Sequence, residues 1–185
     1  MPHAIAIVVG SLRADSFNRR LAQGLTRLPA AQGVDFRFPE IGDLPLYNQD
    51  DDANPSAATT RLKAAIRAVD GVIFVSPEYN RSIPGVLKNA LDHASRPYGD
   101  SAWAGKPAGV IGTSEGASAT AMMQQHLRAV LAYLDMPTLN QPEAFVRWNE
   151  DTIGPDGAPV GRSAVFLGKW MKAFLGHVER HRQGA

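Results

Sequence analysis

The 185-residue chain contains no cysteine. That excludes disulfides, thiolate nucleophiles and cysteine-held zinc or iron–sulfur centres, so redox chemistry here needs a bound cofactor. Nor does one sign of charge dominate. Nineteen Lys and Arg stand against 18 Asp and Glu, a net charge of +1. A field that weak gives no basis for binding nucleic acid or an anionic membrane. No stretch approaches the ~20 apolar residues of a membrane-spanning helix. Met1-Pro2-His3 offers no basic leader, so the expectation is a cytoplasmic protein. Two nucleotide signatures are missing as well. The first apolar run is followed by Gly10-Ser11-Leu12-Arg13-Ala14-Asp15 rather than G-x-G-x-x-G, and G-x-x-x-x-G-K-[ST] is absent. Neither a dinucleotide fingerprint nor an NTPase loop is indicated.

What is present is an ordinary globular composition, 44% apolar and 20% charged, which predicts one domain over residues 1–185. Ala4-Ile5-Ala6-Ile7-Val8-Val9 reads as a strand, and Phe17, Leu21, Leu25 and Leu28 repeat at helical spacing. Val34 to Phe38 alternates like an edge strand. Residues 56–69 are helical, and Val72-Ile73-Phe74-Val75 is the continuous run of a strand buried on both faces. A helix carrying Val86, Leu87, Ala90, Leu91 and Ala94 follows, then a strand at 108–113 and a helix with Met123, Leu127, Val130, Leu131 and Leu134. Thr138-Leu139 and 144–148 compete for the last edge strand. The closing helix, from about 163 to 181, is expected to turn Phe166, Leu167, Trp170, Met171, Phe174, Leu175 and Val178 to the core. Such βα alternation predicts an α/β, flavodoxin-like three-layer sandwich around a five-stranded parallel sheet of order 2-1-3-4-5. Its ligand would sit at the switch between strands one and three.

Two loops converge on that switch. The first, 10–18, holds Ser11, Arg13, Ser16 and Asn18 at a helix N-terminus, a donor set suited to a phosphate monoester. A plain helix cap at Ser16 or Asp15 accounts for one of those residues, not for the cluster. The second loop offers Pro77, Tyr79 and Asn80: flat faces with amide and backbone donors, as an isoalloxazine ring needs. Elsewhere, Asp50-Asp51-Asp52 lacks calcium-loop spacing and reads as solvated, and the pair His177 and His181 lacks a third ligand, so no metal site is assigned. His93 and His126 receive no role.

Gly10-Ser11-Leu12-Arg13, Ser16-Phe17-Asn18, Pro77-Glu78-Tyr79-Asn80 and the run from Ser82-Ile83-Pro84-Gly85 to Asp92 resemble the NADPH-dependent FMN reductase family. Arg96-Pro97-Tyr98-Gly99 and the 144–148 region are most similar to its ferric reductase B branch. The resemblance implies an FMN-dependent oxidoreductase with NADPH or NADH as co-substrate. It implies ping-pong hydride transfer to flavin and then to a small-molecule acceptor: a quinone, azo dye, chromate or ferric chelate. It places the FMN phosphate on Ser11, Arg13, Ser16, Phe17 and Asn18, the ring and ribityl chain on residues 77–81, and the third side on Ser114, Glu115 and Gly116. It also implies a homodimer or homotetramer, with the 43–52 loop roofing a neighbour's flavin. Arg81, Arg96 and Tyr47 are candidate substrate contacts; for Arg96 the competing reading is a cation on a helix C-terminus. The rival functions are a flavodoxin-like electron carrier and a flavin-binding sensor. A carrier is usually strongly acidic for docking, unlike this chain.

Overall fold

A computed structural model describes residues 3–182. Five strands alternate with five helices: β1 Ala4–Val9, α1 Phe17–Leu25, β2 Asp35–Arg37, α2 Ala57–Arg67, β3 Gly71–Val75, α3 Gly85–Ala94, β4 Ala108–Ser114, α4 Ala121–Tyr133, β5 Phe145–Arg147 and α5 Gly161–Arg182. The sheet is parallel throughout and ordered β2-β1-β3-β4-β5. This is the expected flavodoxin-like arrangement, with the strand order reversing between β1 and β3. Phe145–Arg147 supplies the last edge strand, while Thr138 makes only an isolated bridge to Ala108.

Strand side chains alternate faces, so the sheet builds two cores. Ala6, Val8, Val72, Phe74 and Val110 pack beneath α2, α3 and α4 with Trp103. Ile5, Ile7, Ile73, Val75 and Ile111 pack against α1 and α5, chiefly on Leu21, Leu25, Trp170 and Phe174. The expected core face of α5 needs one correction. Leu167, Trp170, Met171, Phe174 and Val178 are buried, but Phe166 is exposed and Leu175 only half-buried. Both flank the buried stripe: periodicity identifies the apolar face of a helix, not how much of its width is covered.

Lys63 on α2 and Arg67 at its end grip Asp100, fastening the segment after α3 to its neighbour. Those hydrogen bonds, Arg67's first, pull the Asp100 carboxyl down to about 2. His177 donates Nε2–H to the carbonyl of Pro137, and His181 donates Nδ1–H to the carbonyl of His177. The ring nitrogens used there are spent on backbone.

Candidate flavin site

The carboxyl ends of β1, β3 and β4 meet in close backbone contact. The Gly10 N–H donates to Val75 O at 2.9 Å, and the Ser76 N–H donates to Ile111 O at 3.2 Å. A Cβ on Gly10 would collide with the Ser76 side chain, and one on Gly112 with the Ser76 carbonyl oxygen and Thr120 Oγ1. Glycine is required at both positions for this approach. The three loops leaving these ends are thereby held side by side.

The first loop enters α1 through Ser16, whose Oγ accepts from the Arg19 N–H at 3.3 Å. Ser16 is therefore a cap. The N–H groups of Phe17 and Asn18 lie in the first turn, where a helix offers them no acceptor of its own. Ser11 is buried, its Oγ accepting from the Arg13 N–H at 3.4 Å. Arg13 is exposed, and among the described residues no carboxylate pairs with its guanidinium. Hydroxyls, first-turn N–H groups and an unpaired arginine form a cradle whose chemistry suits an anion.

Two residues expected in that cradle are engaged elsewhere. Asn18 is buried, and its side chain clamps the Thr113 backbone: Nδ2 donates to Thr113 O at 2.9 Å, and Oδ1 accepts from Thr113 N at 3.0 Å. It locks α1 to the end of β4. The Phe17 ring stacks on Trp148 with centroids 4.6 Å apart, and the Arg20 guanidinium lies over the Trp148 ring at 4.8 Å from its centroid. What these two side chains do is fix the helix that carries the cradle.

The second loop is a tight hairpin. Tyr79 and Ser82 exchange both backbone hydrogen bonds, at 3.1 and 2.9 Å, around Asn80 and Arg81 with φ of 51° and 66°. Positive φ at both central residues marks a type I′ turn, which favours Asn at the first position and Gly at the second. Arg81 replaces that glycine, so the turn stores strain at the site. Glu78 sets the hairpin's angle. Its carboxylate is mostly buried and accepts from the Met123 N–H at 3.1 Å, capping α4 in place of Thr120, and it lies 3.6 Å from the Arg81 guanidinium. We expect Arg81→Gly to raise stability by about 1 kcal/mol as the left-handed strain is relieved. The same substitution removes the guanidinium, so KM for NADPH should rise; thermal melts and initial rates on one preparation check both.

The third loop adjoins the first two. Ser114 Oγ donates to Ala119 O at 2.7 Å, and the Glu115 carbonyl accepts from Arg147 Nε at 3.2 Å. Glu115 and Gly116 are exposed.

Tyr47 and Arg96 lie together but apart from the cradle. Both line a groove of about 650 Å³ between α3 and α4, with Tyr98, Tyr133 and His126. The Arg96 guanidinium lies 5.2 Å from the Tyr98 ring. The 43–52 loop is strapped to its own α3: Asn89 accepts from the Tyr47 N–H at 2.9 Å and donates to Pro45 O at 2.7 Å, while His93 donates to Pro45 O at 2.8 Å. Burial, then the hydrogen bond to Asp52, raises the Tyr47 phenol above its usual value. Leu46, 88% exposed, is the loop's apolar tip. Sequence reading left His93 and His126 without partners. His93 lies 3.0 Å from Thr59 Oγ1, and His126 lies 2.7 Å from Ser82 Oγ on the hairpin. The Asn89–His93 spacing, one helical turn, was the available signal for the strap.

Residues 3–150 match the family model for NADPH-dependent FMN reductase. The chain belongs to this family. Membership brings FMN as cofactor and NAD(P)H as reductant, and makes the chain an oxidoreductase. A 2-hydroxy-1,4-benzoquinone reductase from a Burkholderia species is 50% identical over 171 residues, 92% of this chain and 91% of the relative. A quinone reductase of Pseudomonas putida is 42% identical over 181 residues, 97% of each. Among solved structures, FerB of Paracoccus denitrificans, a flavoenzyme NAD(P)H:(acceptor) oxidoreductase, superposes with a TM-score of 0.92 at 41% identity. That match covers 97% of this chain and 98% of the other. The cradle fits the family's cofactor on its own chemistry: its donors suit a terminal phosphate, and its two glycines bring the ring-side loop against it.

Proposed function

We propose that this FMN reductase is a cytoplasmic NAD(P)H:quinone oxidoreductase working by a ping-pong mechanism, its residues 1–185 forming one FMN-binding domain. The observation that carries this reading is the pairing of an anion cradle at the start of α1 with a strained, glutamate-anchored hairpin across the β1/β3 switch. When bound, FMN supplies the hydride-accepting and hydride-donating chemistry. The chain's own work is positional. Ser11, Ser16, Arg13 and the first-turn N–H groups of α1 hold the phosphate. Residues 77–81 present a fixed edge to the ring, so that its polar atoms meet donors that need no reorganisation. Ser114, Glu115 and Gly116 close the third side. Arg81, 72% exposed at its side chain, is placed to take a coenzyme phosphate from solution.

The groove between α3 and α4 supports a homodimer or homotetramer. Tyr98 and Tyr133, 81% and 78% exposed, share it with Lys88, Asp92, Arg96 and Asp135, a mixture of signs that a second copy can complement. Leu46 on the strapped loop would then reach the neighbour's flavin, with Tyr47 and Arg96 beside the acceptor. Among the described residues, no helix is long and apolar enough to cross a membrane.

Steady-state rates with varied NADPH at several benzoquinone concentrations test the mechanism. Parallel double-reciprocal lines are expected. Intersecting lines would contradict alternation at one face, and an absence of turnover would favour an electron carrier.

A further inference from the structure

Arg81 has a partner that the reductase mechanism does not use. Its Nη1 lies 3.5 Å from the sulfur of Met122, on the first turn of α4, and 3.5 Å from Ser118 Oγ. Met122 is 43% exposed, whereas Met123, Met136 and Met171 are 0%, 3% and 0% exposed. Of these four methionines, one alone offers its thioether to solvent, and that one touches the exposed arginine of the ring-side hairpin.

We propose that Met122 is a reversible oxidation site that controls Arg81, the oxidant being hydrogen peroxide. The sulfur takes one oxygen from the peroxide. The O–O bond breaks as the S–O bond forms, sulfur gives up two electrons, and the second oxygen leaves as water with both protons. The product is a sulfoxide. A thioether is a weak acceptor, but a sulfoxide oxygen is polar and strong, so the contact with Arg81 becomes a charge-assisted hydrogen bond. The helix N-terminus favours the same change, because it stabilises negative charge density on the first turn. Arg81, already touching α4 through the sulfur, is then held there more tightly and is less available to a ligand from solution. Methionine sulfoxide reductase restores the thioether and frees the arginine.

The consequence for activity rests on the reading of Arg81 as the coenzyme's phosphate contact; the chemical change does not. The test therefore uses two readouts on the FMN-loaded protein treated with hydrogen peroxide. Fragment mass spectrometry should place one added oxygen on Met122 before Met123, Met136 or Met171. Phenylglyoxal should then label Arg81 more slowly than in untreated protein, and Met122→Leu should remove that difference. KM for NADPH should rise about fivefold with kcat unchanged, a loss of binding that ground and transition states share equally, and should return after methionine sulfoxide reductase. Oxidation of Met122 no faster than of the buried methionines, or unchanged labelling of Arg81, overturns the proposal. Slowed labelling in a protein that does not oxidise NADPH would uphold the Met122–Arg81 link while removing the reductase reading.

Discussion

Asn18→Ala is expected to lower the unfolding free energy of the apoprotein by about 3 kcal/mol. The substitution strips two hydrogen bonds from the backbone of Thr113, which is buried with Asn18 between α1 and β4. Each buried backbone group left without a partner costs roughly 1–3 kcal/mol. For a chain of this length the melting temperature should fall by about 6–12 °C. The measurement is made without FMN, and that separates two roles. A residue serving only the cofactor phosphate would leave the apoprotein's melting temperature unchanged; a clamp between helix and strand lowers it. FMN affinity should fall as well, because the cradle sits on the helix that the clamp positions.

Gly112→Ala should be at least as damaging, at about 3 kcal/mol. Its methyl group would enter the space of the Ser76 carbonyl oxygen and Thr120 Oγ1. Overpacking of a tight core typically costs 1–3 kcal/mol, and a clash with backbone sits at the upper end because strands cannot step aside as a side chain can. The ends of β3 and β4 would be forced apart where the hairpin and the third loop begin, so flavin should be lost before the fold. Gly168→Ala, on α5, is the control. Its added methyl would meet nothing within 4 Å. Urea titrations of the two variants, followed by flavin fluorescence and circular dichroism, should show early flavin loss for the first and near-native behaviour for the second.

Much of this arrangement was legible in the sequence. The unbroken apolar run Val72–Val75 implies a strand covered on both faces, and βα alternation with five strands fixes the switch between β1 and β3. The two polar loops at that switch were visible for the same reason: they follow strands whose ends the topology places together. What was not legible depends on partners distant in the chain. Asn18 looks like one more hydrogen-bonding residue in a phosphate loop until Thr113, 95 residues away, is found against it. Glu78 looks like part of a ring-binding motif, yet its acceptor atoms cap α4 through the Met123 N–H. Both partners are backbone groups, which carry no residue-type signal. Phe166 misleads for another reason: it flanks the buried stripe of Leu167, Trp170, Met171, Phe174 and Val178, and spacing alone does not say how wide that stripe is. Exposure and charge point Tyr47 and Arg96 toward a substrate, and they meet in a groove of their own between α3 and α4.

The cradle and hairpin are proposed to hold an FMN that NADPH reduces and a quinone reoxidises. The most direct test is the visible spectrum of the purified protein under nitrogen, first with NADPH and then with benzoquinone. The protein should be yellow, bleach on the first addition and recover its colour on the second. A colourless protein that takes up no added FMN, or a yellow one unchanged by NADPH and NADH alike, would contradict this reading.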